Sequence, residues 1–379
     1  MRLPRRAALL GATLAAIRPA AAENELLMID NVELTGLGSP AGAMWKMGLD
    51  LAAAEINAAD GIFGRRIALQ HIDNESQPGT AQAIAARVAA IGPYVTFGPV
   101  YSASVNATMT TAEKQQIPMF MGGEAASLTM RGNPYLFRTS LTQLAGLPKI
   151  ATYMAANAIR SVAMIYTGSE AGTYARDALR RELANRQIVL AADIPTQPGQ
   201  TDLSRLVTAA QQARADALFV WLDEPDSVRL LTTARRLRYD RPIYGEAILA
   251  SPRVLELAGP AANGVRAHIG LSPDAALDRV QDFAARFQAA HRQTPDANAM
   301  KSYIALQLVR LVTERMRVFD RHRLTNLIHG QSFTADAANG LLLDLSYDSN
   351  GDLDRDSYLV EIRDGRPEIL ETLPALGRR

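Results

Sequence analysis

The chain contains no cysteine. Disulfides, thiolate nucleophiles, cysteine-held zinc and a lipid-modified N-terminal cysteine are thereby excluded. Aromatic residues are scarce, 6% with two tryptophans, so the interior is expected to be aliphatic. No run approaches the roughly 18 apolar residues that a membrane-spanning helix needs. A basic excess is also missing, with 40 Lys and Arg against 39 Asp and Glu, whereas nucleic-acid phosphates demand a basic stripe. Enzymatic motifs are absent as well: there is no G-x-S-x-G elbow, no H-E-x-x-H and no G-x-x-x-x-G-K-[ST]. The five histidines are scattered, and His322 and His329 show no metal-ligand spacing, so polar surface is their expected place. These absences point away from catalysis, a metal, a cofactor and nucleic acid.

What is present begins with a distinct leader. "MRLPRR" is basic, "AALLGATLAAI" apolar, and "RPAAA" ends in small residues, the pattern of a secretory signal peptide over residues 1–22 cleaved after Ala22. Arg5-Arg6 ahead of the apolar run resembles a twin-arginine export signal. Removing Arg2, Arg5, Arg6 and Arg18 takes the 40 basic residues to 36 against 39 acidic ones, a net charge of about −3. A water-soluble periplasmic protein fits this balance.

After the leader, strand-like and helix-like stretches alternate. "LLMIDNVEL" precedes a helix over 40–59, then come "RRIALQHID", a helix over 79–91, "YVTFGP", a helix over 102–115 and "IPMFMG". A second series starts near Thr142 with a helix, then "SVAMIY", a helix over 171–186, "QIVLAADI", a helix over 202–213, "ADALFVWL", a helix over 225–237 and "RPIYGE". Such alternation predicts parallel βαβ units with helices on both sheet faces, and two series predict two doubly wound lobes, as the length of 379 residues also suggests. Long helices over 274–291 and 297–318 follow, then a hairpin-like pair, "GLLLDLSYD" and "DSYLVEIRDG". Crossings near 139–143, 268–273 and 331–346 give a three-segment hinge. Lobe 1 is expected to comprise 23–141 plus 272–335, and lobe 2 to comprise 142–271 plus 336–379, with a ligand cleft beyond the strands' carboxyl ends.

Two motifs invite other chemistry. "LTGLGSPAG" places Gly36, Gly38 and Gly42 as G-x-G-x-x-x-G, one residue longer than a dinucleotide fingerprint, and reads as a Gly/Pro turn between strand and helix. "DSNGDLDRD" spaces Asp348, Asn350, Asp352 and Asp354 like a calcium loop, but Gly351 stands at position 4 and Leu359 at position 12, where an EF-hand wants Gly at 6 and Glu at 12. An Asn-Gly turn between strands explains it better.

Beside these patterns, "LTGLGSPAG…DLAAAEINAADGIFGRRIALQHIDNESQP", "GPVYSASV", "LTMRGNPYLFRT", "LAGPAANGV", "SYIALQ" and "YDSNGDLDRDSYLVEIRDG" together resemble the solute-binding proteins of branched-chain amino-acid ABC transporters, the leucine/isoleucine/valine-binding class. The resemblance implies a type I periplasmic-binding-protein fold. It also implies a monomer that is not embedded in the membrane, a small-molecule solute as ligand and a membrane ABC permease as partner. An amide-sensing regulator on the same scaffold is the alternative; those act in the cytoplasm, so cleavage after Ala22 weighs against it.

Carried over motif by motif, the resemblance places the ligand carboxylate at Ser102, with the backbone of Val100 and Tyr101 beside it, where a helix N-terminus offers unpaired N–H groups. The next contact segment falls on Gly122, Gly123 and Glu124. Here a hydroxyl has become a carboxylate. Two like charges about 4 Å apart repel by about 4 kcal/mol at an effective dielectric near 20, against about 0.3–2 kcal/mol from a helix N-terminus, so Glu124 turns away, is protonated, or meets donors on the ligand. Where the resemblance implies aromatic walls stand Ala41, Ala171 and Asp223, and the acid for a ligand amine falls at Ala247, or at Glu246 with a gap. Trp45, Tyr101 and Trp221 are candidate replacement walls, each with a place in the core as the alternative. With Glu170, Asp223 and Glu224 also at strand ends, the expected cargo is a small polar or amine-bearing solute, with leucine itself a poor fit.

Overall fold

The computed structural model describes residues 24–197 and 200–377; the leader and its twin-arginine-like pair lie outside them. The first lobe is built on a five-stranded parallel sheet in the order β2-β1-β3-β4-β5. Its strands are β1 (Glu25–Val32), β2 (Arg66–Asp73), β3 (Val95–Phe97), β4 (Met119–Met121) and β5 (Leu136–Arg138). Helices α1 (Ser39–Ala58), α2 (Pro78–Ile91) and α3 (Ser102–Lys114) connect them. Strand β1 shows why both faces are covered. Its side chains alternate, with Leu27 and Ile29 packed on Ile84 and Val88 of α2 while Met28 and Val32 join Trp45 and Leu49 of α1, so the strand's apolar residues serve two helical layers.

The second lobe carries α4 (Gly146–Ala156), β6 (Ser161–Tyr166), α5 (Glu170–Ala184), β7 (Val189–Pro195), α6 (Ser204–Gln212), β8 (Ala217–Trp221), α7 (Glu224–Arg236), β9 (Ile243–Gly245), α8 (Pro252–Ala258) and β10 (Arg266–Ile269). Phe219 of β8 faces the cluster of Ile150 and Leu179, whereas Leu218 and Val220 face Val207 and Leu230. The chain then returns to the first lobe as α9 (Asp278–His291), α10 (Ala297–Met316) and α11 (Arg321–Asn326). Helix α10 is started by Asp296, whose carboxylate accepts the N–H groups of Asn298 (2.7 Å) and Ala299 (3.0 Å). It lies so close to α1 that a Cβ on Gly48 would stand 2.1 Å from the Ala299 carbonyl oxygen, and Ser302 Oγ donates to the Trp45 carbonyl at 2.6 Å.

The end of the chain differs from expectation. β11 (Ser332–Phe333), β12 (Leu345–Tyr347) and β13 (Leu353–Asp354) form a small antiparallel sheet, and the strands of the expected hairpin do not pair with each other. Instead β14 (Ser357–Arg363) turns into β15 (Arg366–Leu373), and β14 joins β10 antiparallel, completing the order β15-β14-β10-β9-β8-β6-β7. The run Leu341–Leu343 is buried without strand pairing, so apolarity there serves packing at the hinge. The third crossing also comes later than 336: Tyr347 packs edge-on to Phe137 and its hydroxyl donates to the Arg138 carbonyl at 3.0 Å. Asp352 pairs with Arg138 at 2.6 Å. Residues 336–354 therefore sit with the first lobe. The Asn350-Gly351 turn does link two strands, β12 and β13, and Asp348 Oδ1 accepts the N–H groups of Asn350 (2.8 Å) and Asp352 (2.9 Å).

Candidate functional site

Between the lobes, at the carboxyl ends of β4, β8 and β9, lies a cavity of about 410 Å³, within the range of small-molecule sites. The first lobe brings Glu124 and, from α10, Lys301; the second brings Trp221, Glu246 and His268; Arg355 enters from the last crossing. Sequence reasoning singled out Glu124 and Glu246 and weighed Trp221. It missed Lys301, His268 and Arg355, which come from distant segments with no local spacing to betray them.

On the first lobe, the polar groups find partners within the lobe. The Glu33 side chain, just past β1, is fully buried, and its carboxylate accepts the N–H groups of Val100 at 3.0 Å and Tyr101 at 3.3 Å. Burial raises its pKa, opposed by those backbone bonds and the Ser104 hydroxyl. The N–H groups expected to meet a ligand at α3 are thus already taken. Ser102 Oγ, in turn, accepts the N–H groups of Glu124 and Ala125 at 3.1 Å each. Gly122 donates its N–H to the Pro99 carbonyl at 3.0 Å and accepts from Ser140 Oγ at 3.1 Å. Arg138, fully buried, donates to the carbonyls of Gly123 and Ala125. Glu124 is neither repelled nor turned away; Lys301 Nζ reaches its Oε1 at 2.7 Å, a cation that local sequence could not reveal. The glycine-rich turn is equally self-contained. Asp73 takes the N–H groups of Leu34 (2.9 Å) and Thr35 (3.1 Å), Ser76 Oγ takes that of Gly38 (2.9 Å), and a Cβ at Gly42 would stand 1.8 Å from the Glu33 carbonyl oxygen. No phosphate cradle is left over.

Of the ten expected contacts only Glu124 and Glu246 line the cavity; Val100, Tyr101, Ser102, Gly122 and Gly123 do not, and Trp45, Ala171 and Asp223 lie elsewhere. Trp45 is fully buried and its indole N–H donates to Asp30 at 3.0 Å, so it is a core residue of α1 rather than a cleft wall. Ala171 lies on the exposed first turn of α5 and Asp223 is the exposed cap of α7, its Oδ1 accepting the Asp226 N–H at 2.9 Å; neither lines the cavity. Glu170 is exposed, and Glu224 accepts from Ser251 Oγ at 2.7 Å. Tyr101 stays partly exposed, and burial together with Glu33 and Glu224 raises its pKa.

The second lobe and the crossing carry polar groups without partners among the described residues. Glu246 Oε2 meets His268 Nδ1 at 2.9 Å, while Glu246 Oε1 and His268 Nε2 are buried and unpaired. Burial raises the Glu246 pKa, His268 lowers it, and Glu124 across the cleft raises it again. Arg355 is 1% exposed; Nη1 donates to the Gly270 carbonyl at 2.8 Å, and Nε and Nη2 have no partner. Burial lowers its pKa to about 10, leaving it cationic at neutral pH. Leaving such atoms unmet costs about 1–3 kcal/mol each, which a ligand can restore.

The comparisons agree with this architecture. A family model described as a periplasmic binding protein matches residues 31–367. Leu/Ile/Val-binding protein homolog 8 of Brucella abortus is 30% identical over 210 residues, 51% of this chain and 50% of its own; the match thus spans about half of that relative. The substrate-binding protein LivJ of Streptococcus pneumoniae in complex with isoleucine superposes with a TM-score of 0.77 at 21% identity, covering 92% of this chain and 99% of its own. A solute-binding protein of an ABC transporter from R. palustris in complex with benzoate gives 0.73 at 19% identity, covering 93% and 97%. The family model, matched over residues 31–367, shows that the chain belongs to the periplasmic binding protein family, and the two-lobed fold agrees with it.

Proposed function

We propose that the chain is the extracytoplasmic solute-binding subunit of an ABC importer. It captures a small polar or amine-bearing, amino-acid-like solute in the inter-lobe cleft and hands it, chemically unchanged, to a membrane permease. The observation that carries this reading is Glu246: a cavity-lining carboxylate at the end of a parallel strand, whose buried Oε1 is unpaired among the described residues, wants an N–H or O–H donor. From lobe one, Glu124 and Lys301 line the opposite wall, and Ser102 holds the Glu124 backbone N–H behind it. Because contacts from both lobes exist together only when the cleft is closed, binding shifts the open–closed equilibrium by the difference in affinity, and the permease reads the closed shape. The family supports a periplasmic location, and the leader expected over residues 1–22 accords with it. Among the described residues no helix is long and apolar enough to cross a membrane.

Titration calorimetry on ligand-free protein with leucine and with small primary amines tests the solute class. Binding of polar, amine-bearing solutes with weak leucine binding is expected; tight leucine binding and indifference to amines would end that part of the reading.

A further inference from the structure

The anion site implied by the resemblance, at the start of α3, is filled by the chain itself. A ligand carboxylate placed there would find the Val100 and Tyr101 N–H groups held by Glu33, leaving it only the O–H of Ser102, whose oxygen accepts from Glu124 and Ala125. It would also lie against the Glu33 carboxylate. The unspent cationic donors are instead at the last crossing. We infer that Arg355 is the anion-binding residue of this cleft and that the solute carries a carboxylate, received by the Nε–Nη2 edge of the guanidinium.

The geometry of the guanidinium makes the case. Nε–H and the Nη2–H beside it point along one edge, at the spacing of the two oxygens of a carboxylate. In Arg355 that edge is the unpaired one, because Nη1 alone is spent, on Gly270. The side chain lines the cavity yet is 1% exposed, so water does not satisfy it. Glu124, the carboxylate that acts on its charge, has its own partner in Lys301. A bound carboxylate neutralises a buried cation that otherwise stays uncompensated. The same solute's donor group meets Glu246 Oε1, and one zwitterionic or hydroxylated acid satisfies both. This assignment rests on the solute-capture reading and narrows it.

The test uses the whole mature protein with the common amino acids and benzoate, each beside its neutral amide, read by thermal shift and calorimetry. At least one acid should raise Tm by several degrees, with its amide binding about 30-fold or more weakly, since the acid–arginine pair is buried and hydrogen-bonded. Arg355→Gln should erase the preference for acid over amide, and Arg355→Lys should reduce acid affinity about tenfold or more while retaining some preference. A merely structural arginine would weaken acid and amide alike. If Arg355→Gln does not fold, as judged by circular dichroism, Arg355→Lys decides: acid affinity equal to that of the parent overturns the assignment. Binding confined to amides and amines also overturns it, but leaves solute capture standing; no binding by any member of the panel sinks both.

Discussion

The two walls of the cleft solve opposite problems with similar residues. On the first lobe, Glu33 is capped by backbone N–H groups, Glu124 is paired by Lys301, and Arg138 is spent on Asp352, the Gly123–Ala125 carbonyls and Thr129. On the second lobe and the crossing, Glu246, His268 and Arg355 keep buried atoms with no partner. A wall whose polar groups are already met is rigid and asks nothing of a solute. A wall that leaves them unmet is destabilised until something arrives. The difference separates residues that shape the cavity from residues that select what enters it, and substitutions on the two walls should differ accordingly.

The largest effect is expected at Arg138. Arg138→Ala leaves Asp352 and two buried carbonyls without their donor, and breaking a buried pair from one side costs about 3–5 kcal/mol. The denaturant midpoint should fall by that equivalent, whereas Arg355→Gln should leave the ligand-free midpoint near the parent's, because no ion pair is lost. Equal losses at the two arginines would break the comparison.

Next comes the charged cluster behind the first wall. His71 bonds Asp30 through Nδ1 at 2.7 Å and Asp50 through Nε2 at 2.9 Å, so both ring nitrogens donate and the imidazolium is the fitted form. Burial lowers its pKa, but the bonds and charges of the two aspartates raise it from 6.5 to about 9. A folded pKa above the unfolded one gives stability that is fully present below pH 6.5 and lost as pH rises through about 9. The ceiling is about 3 kcal/mol. Thermal unfolding of the parent should therefore show a falling Tm between these pH values, and His71→Asn should flatten that slope. A parent profile with no decline would remove the charged histidine from the account.

How far these walls could be read in the sequence follows from the range of the signal. Strands such as β1 and β8 announce themselves because long apolar runs serve two buried faces. By contrast β5 and β10, three and four residues long, carry no period, and β15 is largely exposed with weak alternation, so its place beside β14 was not legible. Glu124 and Glu246 stood out as changes of residue type at positions the resemblance marks. Glu33, Lys301 and Arg355 did not, because each acts on a group far away in the chain. Arg355 even lies within the aspartate-rich stretch weighed as a calcium loop, where attention fell on its acids. Trp45 stayed open between wall and core because an aromatic on a helix beside a glycine-rich turn reads alike as either; only the Asp30 contact decides.

Glu33 sharpens the comparison at intermediate size. Glu33→Ala frees the Val100 and Tyr101 N–H groups inside the lobe, and leaving buried donors unmet costs about 1–3 kcal/mol. Stability should fall by that amount and be partly regained on adding acetate, whose carboxylate can occupy the vacated space at the start of α3. Chemical denaturation with and without acetate measures both. An unchanged midpoint would mean that Glu33 does not cap that helix.

The smallest effect is expected at Asp223, where the two roles compete most directly. As a helix cap its carboxylate accepts the Asp226 N–H at 2.9 Å from an exposed position, and replacing such a cap by alanine costs about 1 kcal/mol. As a ligand contact it would change affinity instead. Asp223→Ala should therefore lower the denaturant midpoint slightly and leave the dissociation constant of any bound solute within about twofold, because a side chain on the rim that already has its partner contributes little to affinity. Glu246→Gln, by contrast, alters an acceptor inside the cavity and should weaken an amine-bearing solute strongly at nearly constant stability. If the solute instead loses affinity at Asp223 and not at Glu246, the cleft closes further than its present shape, and the exposed caps of α5 and α7 form the selecting surface.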